Sequence, residues 1–198
     1  MERALRLYPH APNVWRIPSG WMARTIQTSL RVSFNPYTNL LLRHRALISY
    51  LFCNSALEPG GWIEQMELDV RVYSDDGTLK KEHQLYGWGD MFIRCSERAG
   101  RSLRTHETMR NAIKEAGFVD VHEEKYKIPL GPWARDNILK ETGHLQHGHW
   151  NAALEGWAMW LLTHYGEPVP WTKDEVQVYL AKVRKELNNP KIHAYEPA

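Results

Sequence analysis

Cysteine is scarce in this sequence. Its 198 residues hold two, Cys53 and Cys95. They are far apart, with no CxxC pair and no Cys/His spacing suited to zinc, which predicts reduced thiols in an intracellular compartment, cytoplasm or nucleus. Long apolar runs are missing as well. No stretch reaches the roughly 18 consecutive apolar residues that a membrane span needs. Residues 1–18 carry Arg3, Arg6 and Arg16 without the apolar core and small-residue cleavage site of a secretory signal. Nor is there an excess of one charge: 25 Lys+Arg face 23 Asp+Glu, a net +2. That balance predicts no strong pull towards nucleic acid or membrane. The absence of a Gly-x-Ser-x-Gly elbow, a Cys–His dyad context and a Walker A loop removes the hydrolase and nucleotide-triphosphatase readings. No internal repeat or low-complexity tract is present.

What is there suffices for one domain with a real core, since 43% of residues are hydrophobic. Residues 1–38, punctuated by prolines at 9, 12, 18 and 36, read as a poorly defined segment with one strand-like stretch, Arg24–Phe34. Residues 39–57 read as a helix with Leu40, Leu47, Ile48 and Leu51 roughly on one face, broken by Glu58-Pro59-Gly60-Gly61. A strand over Trp62–Val72 is expected, with Trp62, Met66, Leu68, Val70 and Val72 on an apolar face and Gln65, Glu67 and Asp69 opposite. Ser74-Asp75-Asp76-Gly77 is a turn. Helices follow over 84–100 and 106–116, the second capped by Thr105 and stopped by Gly117. Phe118–Ile128 reads as a second strand. Trp150, Ala153, Leu154, Trp157, Ala158, Leu161 and Tyr165 give the best-patterned helix, with Gly166 as its cap. Thr172 and Glu175 form a capping box for a last helix through Leu187. This alternation argues for an α/β layer fold with parallel strands and helical crossovers.

Several strings, in order, resemble fungal secondary-metabolism methyltransferases of the LaeA-like group. They are Leu57-Glu58-Pro59-Gly60-Gly61-Trp62-Ile63-Glu64-Gln65, Ser74-Asp75-Asp76-Gly77-Thr78 and Ala116-Gly117-Phe118-Val119-Asp120-Val121. Further on come Tyr126-Lys127-Ile128-Pro129-Leu130-Gly131-Pro132-Trp133, Leu139-Lys140-Glu141-Thr142-Gly143, Leu154-Glu155-Gly156-Trp157 and the segment from Glu175 to Leu187. The resemblance covers about residues 40–195. It implies the later, substrate-side part (39–198) of a class I, Rossmann-like methyltransferase fold, with Trp62–Val72 as the fifth strand and Phe118–Ile128 as the next. It also implies S-adenosyl-L-methionine (SAM) as cofactor and a small-molecule methyl acceptor, or a non-catalytic regulatory role with a protein partner. Two departures stand out. None of the thirteen glycines forms the strand-to-Gly-x-Gly turn that brings backbone close to SAM, so the SAM-binding half is expected to be largely missing. The chain also reaches His193-Ala194-Tyr195 where the family continues into a final strand.

On this reading Glu67 is the candidate base, and Asp69, Trp88 and Trp133 the candidate substrate-binding residues. Each has a plainer alternative. Glu67 and Asp69 also suit a solvated strand face, and the tryptophans suit a core. Gly87-Trp88-Gly89 reads as a loop. His144, His147 and His149 fit a polar loop or helix start better than a metal site, because no fourth ligand has the right spacing. The uncovered sheet edge left by missing strands predicts self-association or poor solubility.

Overall fold

The computed structural model describes residues 15–16, 29–31 and 42–198. Apart from Ser29–Arg31, the expected strand over Arg24–Phe34 lies outside the described residues. Two compact units emerge, each with its own core.

The first unit contains helix α1 (Leu42–Ala56), most of α3 (Thr105–Glu115) and strands β1 (Trp15–Arg16), β2 (Ser29–Arg31) and β3 (Trp62–Glu64). β3 is the central strand, parallel to β2 and antiparallel to β1. The core gathers Tyr50, Cys53, Leu57, Ile63, Ala112, Ile113, Ala116 and Phe118. α3 ends as expected. Gly117 takes φ +92°, a left-handed conformation that suits a residue without Cβ, and the Phe118 amide reaches back to the Ile113 carbonyl at 3.4 Å.

The second unit holds α2 (Gln84–Arg98), α4 (Asn137–Tyr165), α5 (Lys173–Leu187), β4 (Lys127–Pro129) and β5 (Tyr195–Pro197). α4 packs on α2, α5 and β4. The helices meet through aromatic rings. Trp88 stacks on Phe92 with centroids 4.0 Å apart, tilts against Trp150 at 5.3 Å and lies parallel to Tyr179 at 6.1 Å. Beyond their buried area, such pairs are each worth about 0.5–1.5 kcal/mol. Leu154, Ala158, Leu162, Val176, Leu180 and Val183 fill the remaining space and are fully buried.

β5 pairs antiparallel with β4 on one edge. On its other edge runs the segment 69–73. Tyr73 and Tyr195 exchange two amide bonds of 2.9 Å, and the Asp69 amide donates to the Pro197 carbonyl at 2.9 Å. Segment 69–73 and β4 therefore run in the same direction, with β5 reversed between them.

Three expectations need correcting. The strand over Trp62–Val72 contracts to β3, which stops at Glu64; the chain bends at Val70 and Arg71, and pairing resumes only as a single bridge at Tyr73. Its alternation fails too. Met66 is 72% exposed while Asp69 is buried, because the burial of Asp69 is bought with hydrogen bonds rather than apolarity. The strand over Phe118–Ile128 contracts to Lys127–Pro129, since Asp120 at φ +53° breaks the extension and 122–127 are exposed. A C-terminal strand that the sequence did not predict is present as β5. The capping box, in contrast, is as read: Thr172 Oγ1 accepts from the Glu175 amide at 3.2 Å and Glu175 accepts from the Thr172 amide at 2.7 Å.

Candidate functional site

The polar centre of the second unit forms where segment 69–73, β5, α4 and the first turn of α3 converge on two buried carboxyl groups, Asp69 and Glu196. Sequence reading singled out Asp69 but not Glu196.

Asp69 is held from its own strand and from α3. Its carboxylate accepts from the Arg71 amide at 3.1 Å and the Tyr73 hydroxyl at 2.9 Å. The Arg71 guanidinium lies at 3.4 Å and His106 Nε2 at 3.7 Å. The chain bends at Val70 and Arg71, and the Asp69 side chain spans the bend by accepting from the amide two residues on. The Tyr73 phenol is pushed up from its ordinary value, chiefly by burial and then by the Asp69 carboxylate it bonds. Arg71 also donates to Asp90 on α2 at 2.8 Å. The α2 backbone comes so close here that a Cβ on Gly89 would collide with the backbone of Val70 and Arg71.

Glu196 points into the unit from β5. Its carboxyl accepts from Gln146 Nε2 at 2.7 Å and from the indole Nε1 of Trp150 at 3.0 Å, both on α4. Burial, with the Asp69 charge as a smaller contribution, pushes it up to about 7 against the two hydrogen bonds. The outer side of β5 is fastened separately. Tyr195 donates its hydroxyl to Asp75 at 2.8 Å, Lys127 bonds the same carboxylate, and His193 bonds Asp76. Asp76 sits well below the usual carboxylate range, first through the Thr78 and Ser74 hydroxyls and then through His193.

The other predicted residues fall as follows. Glu67 is half-buried on the irregular stretch before Asp69. Trp133 is half-buried, donates its indole N–H to the Ala194 carbonyl at 3.0 Å and stacks on His193. Trp88 lies inside α2, not in a loop, and at 2% exposure its ring is taken up by the core. His144, His147 and His149 lie within α4, with His147 bonded to Asn188. Among the described residues no His/Cys/Asp/Glu group could hold a metal ion. Two shallow clefts of about 440 and 470 Å³ share Gln84 and Lys182 on the α2–α5 surface and contain none of the predicted residues. No described helix is long and apolar enough to cross a membrane.

A SAM cradle needs backbone exposed at a glycine turn leading from a strand into a helix. Among the described residues, Gly60 lies between α1 and β3, Gly77 in the 74–77 turn, and Gly100 and Gly117 stop helices. The Gly87-Trp88-Gly89 run is helical, with Trp88 and Gly89 buried and Gly87 exposed. These residues do not fit the cofactor, so no chemical step through it is derived.

Comparison with known proteins places the chain among relatives from fungi. The probable methyltransferase tdiE of Emericella nidulans is 34% identical over 143 residues, covering 72% of this chain and 44% of that protein. Methyltransferase pytC of Aspergillus terreus is 34% identical over 142 residues, 72% of this chain and 43% of the relative. The secondary metabolism regulator LAE1 of Cochliobolus heterostrophus is 32% identical over 141 residues, 70% and 45%. The chain thus spans under half the length of these curated relatives. No family model matches it, and no solved structure does.

Proposed function

We propose that this chain, a homologue of fungal methyltransferases and secondary-metabolism regulators, forms the acceptor side of a SAM-dependent, methyltransferase-like protein of fungal secondary metabolism. The observation that carries the reading is homology extending over about seven-tenths of the chain to two named methyltransferases. The fold supports it from below. Segment 69–73 and β4 run in the same direction, and the chain between them forms helices α2 and α3. Two segments of one direction joined by helical chain are compatible with the edge of a helix-crossed sheet, although β3 and β4 themselves lie in separate sheets.

Methyl transfer asks a protein mainly to position two partners and exclude water. Within this lobe Asp69 is engaged by Arg71, Tyr73 and His106, so its role is to fix the local backbone. Glu67 is the carboxylate that would orient an acceptor hydroxyl or amine, and Trp133 the half-exposed ring that would lie against a flat acceptor.

A second reading is favoured by the missing glycine turn and by the regulators among the relatives: an interaction module that works through a protein partner or a second copy of itself. Calorimetry with SAM separates the two. Saturable heat of binding supports the enzyme; a flat titration at large ligand excess, with no gain in melting temperature, removes it and leaves the module.

A further inference from the structure

We infer that the C-terminal strand β5 is a proton-dependent latch, held shut by Glu196 in its uncharged acid form and loosened when that acid ionises. The inference starts from an unequal division of partners between two neighbouring acids. Asp69 and Glu196 sit on adjoining extended segments, joined by the bond from the Asp69 amide to the Pro197 carbonyl. Both are buried, at 8% and 5% exposure. Arg71 lies 3.4 Å from Asp69 and also bonds Asp90 at 2.8 Å, and His106 Nε2 lies 3.7 Å from Asp69. Around Glu196 the picture is different. From α4 it receives only the neutral donors Gln146 and Trp150. Across β4 its register partner is Ile128, which carries no charge. From segment 69–73 it faces the Asp69 carboxylate, with Tyr73 and Arg71 bonded to that same group. Among the described residues no cationic side chain bonds Glu196.

A buried carboxyl that no cation bonds, with a second carboxyl on the adjoining segment, ionises only at a cost and tends to keep its proton. Once β5 peels away, Glu196 meets water and regains the ordinary carboxyl behaviour near 4.5. Shut, it holds its proton up to about 7. Between those two values closing takes up a proton and opening releases one. Rising pH therefore favours opening, by about tenfold per pH unit. Below the window both states are protonated and above it both are ionised, so the dependence vanishes on either side. The latch is tightest in mild acid and reaches its loosest state near neutrality. Opening would uncover the Trp150 indole edge and the inner side of Ile128.

Hydrogen exchange on the intact chain, corrected for intrinsic rates, tests this at the amides of Tyr195 and Ala198, which bond the carbonyls of Tyr73 and Tyr126. Protection there should fall on the order of a hundredfold between pH 5 and pH 7, then level off. In the Glu196→Gln variant, whose amide can still accept from Gln146 and Trp150, it should be independent of pH. Wild-type protection that is flat across the window, or a variant with the wild-type slope, overturns the latch. Should the variant not fold, carbon-13 NMR of the Glu196 side-chain carboxyl in the wild type decides: a midpoint near neutrality supports the proposal, and one in the usual carboxyl range rules it out.

Discussion

A single carboxylate organises much of the second unit. Asp69 satisfies the Arg71 amide and guanidinium and the Tyr73 hydroxyl from a position 8% exposed. Removing a hydrogen-bonded buried charge leaves its partners stranded, a loss that exceeds the net worth of the bonds themselves. Asp69→Ala should therefore lower the unfolding free energy by about 3 kcal/mol in urea titrations. A purely substrate-binding Asp69 would leave that midpoint unmoved. The partners of Asp69 were not legible in the sequence, because the bend at Val70 and Arg71 that brings them to its carboxylate falls inside what reads as a strand. Nor was its burial. Alternation assigns an acid to the wet face by default, and only the arrival of β5 and α3, tens of residues away, reverses this. Glu196 left no sequence signal at all, as one acid between Tyr195 and Pro197 reads as surface. Trp88 shows the opposite error. Flanking glycines suggest a loop, yet Gly89 is small so that α2 can approach the backbone at Val70 and Arg71 within a regular helix.

Helices in this molecule are begun in two ways, and only one is written locally. α5 carries its own capping box, which sequence alone identified, and α4 is capped by Asp136 accepting from the Leu139 amide at 2.9 Å. α2 has no cap of its own, since His83 makes no side-chain bond to the helix. Instead Glu186, on the last turns of α5, accepts from the Gln84 amide at 3.0 Å and the Leu85 amide at 2.9 Å. Its charge also faces the positive end of the helix dipole. Thr172→Ala should cost about 1 kcal/mol, as cap deletions usually do. Glu186→Ala should cost at least as much by the same denaturant measurement, and should in addition loosen α2 and α5 together in hydrogen exchange. Equal exchange in α2 with and without Glu186 would show that the contact contributes nothing. Helices were read well because their 3.6-residue periodicity and glycine stops are local. Strands of three residues give periodicity too little length to register, and their pairing partners lie far along the chain.

At the scale of the whole molecule the two cores are unequal. Among the described residues the first gathers eight buried residues and the second nineteen, and on that burial the second should resist denaturant longer. Nature supplies a reporter in each: Cys53 at 3% exposure in the first core and Cys95 at 0% in the second. Burial raises both thiols, which slows their reaction while folded. Labelling with a thiol reagent across a urea series, read by mass spectrometry, should modify Cys53 at lower urea than Cys95. Simultaneous labelling would mean that the units unfold as one cooperative body.

The ring stack of Trp88, Trp150 and Tyr179 has a practical side. Indole light emission shifts with the polarity around the ring, and the tryptophans most shielded from water belong to the second core. The buried members of the first core include none. Among the described side chains the first unit adds only the half-buried Trp62 to the buried rings of the second, so a melting curve followed by tryptophan fluorescence is weighted towards the second core, and a single smooth transition in that signal would not establish that the protein unfolds all at once.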